Sequence, residues 1–189
     1  LMQAAAGHPS LDGDLSRLTL IQVDAHADLR DQLGGERFSH GTAVRRSLDA
    51  GVGRVVQIGT RVLSREEAEF SDNDERVETW YARDFMGVCD GQAGWVALKE
   101  RIAQIEGPVW LTFDVDGLDG SLVPDTGTPV PGGLSHWAAV EIIEDLFASS
   151  AEVIGVDVNE IVPGEDRLTQ FNAALIATKM LVAHIASRN

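Results

Sequence analysis

The stretch that decides the fold is LTLIQVDAHAD, residues 18–28. Its first six residues are nearly all apolar, and such a run is typical of a strand buried on both faces of a parallel sheet. The residues that follow place Asp24, His26 and Asp28 at every second position. Residues i, i+2 and i+4 of an extended segment project to one side, so we expect these three side chains to converge.

A second acidic pair follows a second apolar run. Residues 109–113 predict another strand, and Asp114 and Asp116 come directly after or close to its end. The carboxyl ends of parallel strands collect ligands at one edge of a sheet, so both acidic groups are expected there. Carboxylates gathered in this way repel one another, and buried unpaired acids cost several kcal/mol each unless cations neutralise them. The sequence therefore predicts a metal site.

Strands alternate with helices along the whole chain. Strands are predicted at residues 18–23, 54–59, 77–81, 109–113 and 153–158, and helices at 39–50, 64–70, 93–105, 135–147 and 168–186. This alternation, with no repeat and no linker, favours an α/β fold: a three-layer α/β/α sandwich around a mostly parallel sheet. We expect residues 1–189 to form a single domain.

Composition excludes several classes of function. The formal charge of −15 argues against nucleic acid as a partner, because phosphate backbones are bound by clustered Lys and Arg. No apolar run reaches the roughly 18 residues that a membrane helix needs, and residues 1–8 lack the features of a signal peptide. The single cysteine, Cys89, has no partner for an internal disulfide. We expect a cytoplasmic protein without a membrane or nucleic-acid partner.

The donor atoms narrow the choice of metal. Oxygen-rich sites with an imidazole suit manganese, whereas zinc more often takes several His or Cys ligands in a closed tetrahedron. Four carboxylates and one His are more ligands than one ion needs. Two ions sharing bridging carboxylates, about 3.5 to 4 Å apart, are therefore the simpler interpretation.

Five blocks of the sequence together resemble the ureohydrolase family, which contains arginase, agmatinase and related guanidino or formimino hydrolases. The blocks are DAHAD at 24–28, SHGT at 39–42, FDVDGLD at 113–119, TGTPVPGGLS at 126–135 and VDVNEIVP at 156–163. They occur in the family's order, and the resemblance is strongest to agmatinase. It implies an arginase-like fold.

The resemblance also implies a metal-binding role for each residue of the acidic cluster. Asp24 and Asp114 would bridge two manganese ions. Asp28 would bind one of these ions, while His26 and Asp116 would bind the other.

The resemblance assigns further residues to catalysis and substrate binding. His40 would act as a proton shuttle beside the substrate, and Glu160 would accept hydrogen bonds from the guanidinium group. Asp28 would help to hold the nucleophile. These roles agree with the chemistry of the side chains, since a carboxylate suits a planar guanidinium and an imidazole can protonate a leaving amine near neutral pH.

Arg30 lies at a position that resembles one near the substrate's tail in the family. A cation there would oppose a cationic tail and favour an acidic one, as in a guanidino acid. The alternative is that Arg30 pairs with Asp31 or Glu36 and leaves the substrate alone.

The implied reaction is attack of a metal-bridging hydroxide on the guanidinium carbon of a small linear guanidine such as agmatine, giving urea and an amine. Arginase, guanidinobutyrase and formiminoglutamase activities remain alternatives, because substrate tails are recognised by variable loops. Family resemblance further implies a homo-oligomer, either a trimer or a hexamer.

One departure from the family pattern leaves a non-catalytic alternative open. Ureohydrolases carry a further metal-binding histidine in a Gly-Gly-Asp-His-type motif before the first metal strand, and residues 1–17 contain only His8, in a different setting. We expect the N-terminal part that carries this motif to be missing. The chain could then be a truncated product that binds metal without catalysing the reaction.

Overall fold

The computed structural model describes residues 2–87, 91–165 and 167–188, so Cys89 lies outside the described residues. Its strands are β1 (Thr19–Val23), β2 (Arg54–Thr60), β3 (Val77–Tyr81), β4 (Gly107–Asp114) and β5 (Ala151–Asn159). Its α-helices are α1 (Met2–Ala6), α2 (Ala43–Asp49), α3 (Arg65–Asn73), α4 (Ala82–Met86), α5 (Gly91–Ala103), α6 (His136–Ala148) and α7 (Leu168–Ala186).

The strands form one sheet in the order β3-β2-β1-β4-β5, and every neighbouring pair is parallel. Strand β1 therefore lies in the middle, between β2 and β4. Because each side chain of a strand points to the face opposite its neighbour's, an apolar run such as residues 18–23 fills the core on both faces. Ile21 faces one hydrophobic core and Leu20 faces the other.

The helices cover both faces of the sheet. Buried residues of α5, α6 and α7 belong to the core that contains Ile21, among them Leu98, Ile143 and Ile176. Buried residues of α1 and α2 belong to the core that contains Leu20. The prediction of a three-layer α/β/α sandwich is confirmed, and the sheet is entirely parallel over the described strands.

Differences from the predicted elements have local causes. Strand β4 continues to Asp114 because Asp114 pairs with Asn159 of β5, a pairing that the sequence of one strand does not contain. The helix predicted from residue 39 begins as a 3-10 turn, His40–Thr42, before α2. Helices α1 and α4 were not predicted, because five residues are too few to show a helical period.

Among the described residues, no helix combines enough length with enough apolar character to span a bilayer.

Candidate metal centre

The register of the sheet brings the two acidic groups together. Val23, the last residue of β1, is the partner of Phe113 in β4. Asp24, the first residue after β1, and Asp114, the last residue of β4, therefore lie at the same level of the sheet. The backbone N–H of Asp24 also donates to the carbonyl of Ile58 in β2, at 3.1 Å, which fixes where the chain turns out of the sheet.

Three of the predicted ligands form a compact group. One potential ligand atom from each of Asp24, His26 and Asp116 lies within 4.8 Å of the others. His26 Nδ1 is 3.0 Å from Asp116 Oδ2 and 3.5 Å from Asp24 Oδ1. Backbone donors hold both carboxylates: the N–H of His26 donates to Asp24 at 2.6 Å, and that of Ala25 to Asp116 at 3.0 Å. The three side chains are thus held in place before any cation is added.

A cavity of about 370 Å³ opens beside this group. Every site residue predicted from the sequence lines it: Asp24, His26, Asp28, Arg30, His40, Asp114, Asp116 and Glu160. A second cavity of about 580 Å³ shares Asp24, Asp28 and Asp114 with the first and extends towards Trp110 and Met2. Asp28 and Asp114 do not belong to the compact group of three, but both of them line the two cavities next to it.

Two of the lining residues have unusual backbone conformations. Asp28 has a φ angle of 53° and Glu160 one of 58°. Positive φ is uncommon outside glycine, and such strained residues cluster at functional sites because the surrounding structure must hold them there. At Asp28 the neighbouring backbone is held by Glu67, whose Oε1 accepts a 3.2 Å hydrogen bond from the Leu29 N–H.

The carboxylates of this cluster cannot all ionise together. Burial, reinforced by the nearby charges of Asp24 and Asp116, raises the pKa of Asp114 to about 10 and that of Asp28 to about 8. Burial is also the main cause that raises the pKa of Asp24 to about 6. The hydrogen bonds to Asp116 and Asp24 raise the pKa of His26 to about 10. A pair of divalent cations would supply the positive charge that this donor set needs, so the residues fit a metal centre.

The metal-free chain is expected to lose stability as the pH rises from about 5 to about 9. Unfolded Asp residues ionise near pH 4, whereas folded Asp28 and Asp114 keep their protons to about 8 and about 10, so the folded state binds more protons across this window. His26 acts in the same direction, since its stabilisation is present below about pH 6.5 and is lost as the pH passes about 10.

Urea denaturation in the presence of a chelator measures this dependence, with the free energy of unfolding compared at about pH 5.5 and about pH 8.5. The Asp114→Asn variant, which stays neutral at every pH, is the matched control and should have a flatter profile. Stability that increases with pH in the unchanged chain would contradict the prediction.

The predicted catalytic residues lie at the mouth of the cavity. His40 begins the 3-10 turn before α2, and its Nδ1 is 3.4 Å from the hydroxyl of Ser39. Glu160 follows β5, and its carbonyl accepts a 2.9 Å hydrogen bond from Thr126. Its carboxylate is free to face the cavity, because it is exposed and lies beside Gly127, where a Cβ atom would come within 3.3 Å of Oε2.

Arg30 has a different partner from the alternatives raised by the sequence. Its Nε lies 3.4 Å from Oε2 of Glu67, with 40% of the side chain exposed, while Asp31 pairs with Arg46 instead. The predicted pairing of Arg30 with Asp31 or Glu36 is therefore wrong among the described residues. Arg30 remains on the wall of the cavity, where its guanidinium can also be reached from solvent.

Sequence analysis missed several residues that support the site. Glu67 is 4% exposed and holds Leu29 and Arg30. Arg61 donates to the carbonyls of Asp116, Leu118 and Val130. These hydrogen bonds connect the loop after β4 to the segment of residues 126–135, which is rich in glycine and proline. Gln22 donates to Asp24 at 2.7 Å. Only Gln22 left a signal in the sequence, as a polar residue within an otherwise apolar strand.

Comparisons with known proteins give the relatives of this chain. The profile of the Arginase family matches residues 2–185. The chain is 37% identical over 161 residues to the agmatinase of Pyrococcus horikoshii, covering 85% of this chain and 52% of that protein. It is 34% identical over 174 residues to the guanidinobutyrase of Pseudomonas aeruginosa, covering 87% of this chain and 51% of that protein. The chain thus spans about half the length of the curated relatives it matches.

Solved structures of other proteins share the fold of this chain. The agmatine ureohydrolase of Thermoplasma volcanium superposes with a TM-score of 0.73 at 31% identity, covering 96% of this chain and 60% of that one. The proclavaminate amidino hydrolase of Streptomyces clavuligerus superposes with a TM-score of 0.77 at 26% identity, covering 97% of this chain and 58% of that one. The five-stranded parallel sheet and its flanking helices therefore have counterparts in enzymes of known structure.

Proposed function

Because the chain belongs to the arginase family, as its five sequence blocks indicate, we propose that it hydrolyses the guanidino group of a small linear guanidine such as agmatine. Family members such as agmatinases are hydrolases that act on C–N bonds in linear amidines. The products would be urea and an amine. The observation that carries the proposal is the cavity of about 370 Å³, which is lined by the acidic cluster, His40 and Glu160.

We propose two manganese ions as the cofactor. Enzymes of the family use a binuclear metal centre, and the donor set of this cavity is oxygen-rich with one imidazole, which suits manganese. Asp24 and Asp114 would contribute carboxylate oxygens to both ions. Asp28 would bind one ion, and His26 and Asp116 the other, in keeping with the 3.0 Å separation of the last two side chains.

The metal pair, when bound, would supply a water molecule acidic enough to attack near neutral pH. The protein's own residues would do the rest. Glu160 would receive the planar guanidinium through charge-assisted hydrogen bonds and hold its carbon towards the metal ligands. Asp28 would help to hold the attacking water by accepting a hydrogen bond from it. His40 would donate a proton from its imidazole to the nitrogen of the departing amine.

A guanidino acid is the second candidate substrate, and Arg30 is the observation that favours it. Its partly exposed guanidinium lines the cavity and could pair with a carboxylate on the substrate's tail. The guanidinobutyrase among the relatives is named for such a substrate. Urea release from agmatine, arginine and guanidinobutyrate at equal concentrations, in the presence of manganese, decides between these candidates. Manganese binding without urea from any of them would favour the non-catalytic alternative.

In the Arg30→Gln variant, kcat/KM for guanidinobutyrate divided by kcat/KM for agmatine is expected to fall by about tenfold. Loss of the cation would remove attraction for an anionic tail and repulsion of a cationic one. The matched control is Arg65→Gln, which removes an exposed arginine that pairs with Glu69. An unchanged ratio in Arg30→Gln would place the substrate's tail elsewhere.

We also propose that residues 1–189 act as a single domain, because the described strands all belong to one sheet. A trimeric or hexameric assembly is proposed from the family resemblance alone. Light scattering coupled to gel filtration measures the mass of the assembly, and a monomer would contradict this proposal.

A further inference from the structure

A row of polar side chains crosses the sheet directly beneath the acidic cluster. In the sheet's register Gln22 of β1 is the partner of Gln57 in β2, and Gln57 is the partner of Thr79 in β3. Gln22 and Gln57 are 2% and 0% exposed. Uncharged amides in the middle of a core carry a desolvation cost that is recovered only through complete hydrogen bonding, so their presence calls for an explanation.

The hydrogen bonds of this row run without a break from Asp24 to helix α3. Gln22 Nε2 donates to Asp24 Oδ2 at 2.7 Å, and Gln57 Nε2 donates to Gln22 Oε1 at 2.6 Å. The Thr79 hydroxyl donates to Gln57 Oε1 at 2.9 Å. Because that hydroxyl has one hydrogen, the Ser71 hydroxyl of α3, 3.1 Å away, donates to Thr79.

A backbone carbonyl fixes the direction in which the hydrogen bonds of this row are donated. Gln57 Nε2 also donates to the carbonyl of Ala27 at 2.7 Å. A carbonyl only accepts, so the nitrogen of Gln57 must lie on this side and can meet only the oxygen of Gln22. The nitrogen of Gln22 is therefore turned to Asp24. The amide of Gln22 has one orientation that satisfies the whole row.

The result is a carboxylate held at both oxygens. Asp24 Oδ1 accepts from the N–H of His26 at 2.6 Å, and Oδ2 accepts from Gln22. Each carboxylate oxygen has two lone pairs, so one donor at each leaves one lone pair on each oxygen for a cation. Without Gln22, rotation about the Cβ–Cγ bond of Asp24 would be opposed only at Oδ1.

We propose that Gln22, itself held by Gln57, is a positioning residue that orients Asp24 for metal binding. This inference rests on the proposed function, since it assigns to Asp24 a metal to bind. Hydrogen-bond partners of metal ligands commonly contribute 10-fold to 100-fold to metal affinity. Gln22 acts through Asp24 from the wall of the second cavity, where the residue is 2% exposed.

Manganese titration by isothermal calorimetry on the full chain tests the inference. Gln22→Leu removes the donor, and Gln22→Asn retracts it by one methylene while keeping the amide. Both are expected to weaken manganese binding by about 10-fold or more. Gln57→Leu should weaken it less, because Gln22 remains but loses its support. In Gln22→Leu/Gln57→Leu neither glutamine amide remains, although the carbonyl of Ala27 and the hydroxyl of Thr79 lose their contact with Gln57. Asp24 still lacks its donor, so manganese binding should be as weak as in Gln22→Leu.

The matched control is Asn172→Leu, which removes a buried amide donor of α7 that bonds the carbonyls of Leu122 and Leu168. It should lower stability in urea and leave manganese affinity within about twofold. Weakened binding in the Gln22 variants, with this control unaffected, supports the inference. Manganese binding as tight in Gln22→Asn as in the unchanged chain overturns it and leaves the proposed function standing. An unchanged chain that binds no manganese overturns the proposed function and this inference together.

Discussion

The Asp114→Asn variant is expected to lose urea release by about 100-fold to 1,000-fold while its metal-free fold stays intact. Burial raises the pKa of Asp114 to about 10, so in the metal-free chain at neutral pH this side chain is already uncharged. Asparagine has the same shape and no charge, and its carbonyl can still accept the 2.9 Å hydrogen bond from the Asp116 N–H. It cannot, however, provide the anionic oxygens that two cations would share.

Three measurements separate these effects: urea release with manganese present, manganese stoichiometry by calorimetry, and the free energy of unfolding in a chelator. Activity and stoichiometry should fall while stability does not. The matched control is Asp119→Asn, an acid of the same loop whose partners are Ser121 and the N–H groups of Gly132 and Gly133. Equal activity in Asp114→Asn and the unchanged chain would remove Asp114 from the metal site.

The Glu160→Gln variant is expected to lose about 100-fold in kcat/KM for the guanidine while manganese binding is retained. Glutamine keeps the length of the side chain and the backbone at φ 58°, but it is neutral and carries a donor group where the guanidinium needs an acceptor. Loss of the charge removes the electrostatic attraction between the side chain of residue 160 and the guanidinium of the substrate. This variant therefore separates substrate binding from metal binding.

Steady-state kinetics together with manganese calorimetry test this separation. Glu165→Gln is the matched control, because it neutralises an exposed acid on the same loop without changing the cavity lining. Loss of manganese binding in Glu160→Gln would assign Glu160 to the metal instead of the substrate. Unchanged kcat/KM would remove it from substrate binding.

The fold was predictable because buried parallel strands leave a strong signal. Each strand of the sheet coincides with a short run rich in β-branched or aromatic residues, and the long helix α7 coincides with a long run of helix-forming apolar residues. Ile176 and Met180 of α7 are buried, whereas Leu175, Leu181 and Ile185 are exposed. The short helices α1 and α4 left no such signal. The full extent of β4 and β5 depends on their pairing with each other, which becomes visible only when two strands lie side by side.

The residues facing the cavity were predictable for a related reason. Alternation after a strand places Asp24, His26 and Asp28 on one side, and the parallel arrangement brings Asp114 to the same edge. The supports of these residues were not predictable. Glu67 reaches Arg30 from a separate helix, and the row from Gln22 to Thr79 exists only because three strands adopt one register. Such contacts depend on tertiary structure and have no fixed spacing along the chain.

The most direct test of the central claim, a metal pair held by the acidic cluster, is manganese titration of this chain followed by electron paramagnetic resonance. Two ions bound close together are magnetically coupled, so the account predicts two manganese ions per chain with a spectrum of a coupled pair, and loss of that spectrum in Asp114→Asn. A folded chain that binds no manganese, or a coupled spectrum that survives in Asp114→Asn, would contradict it.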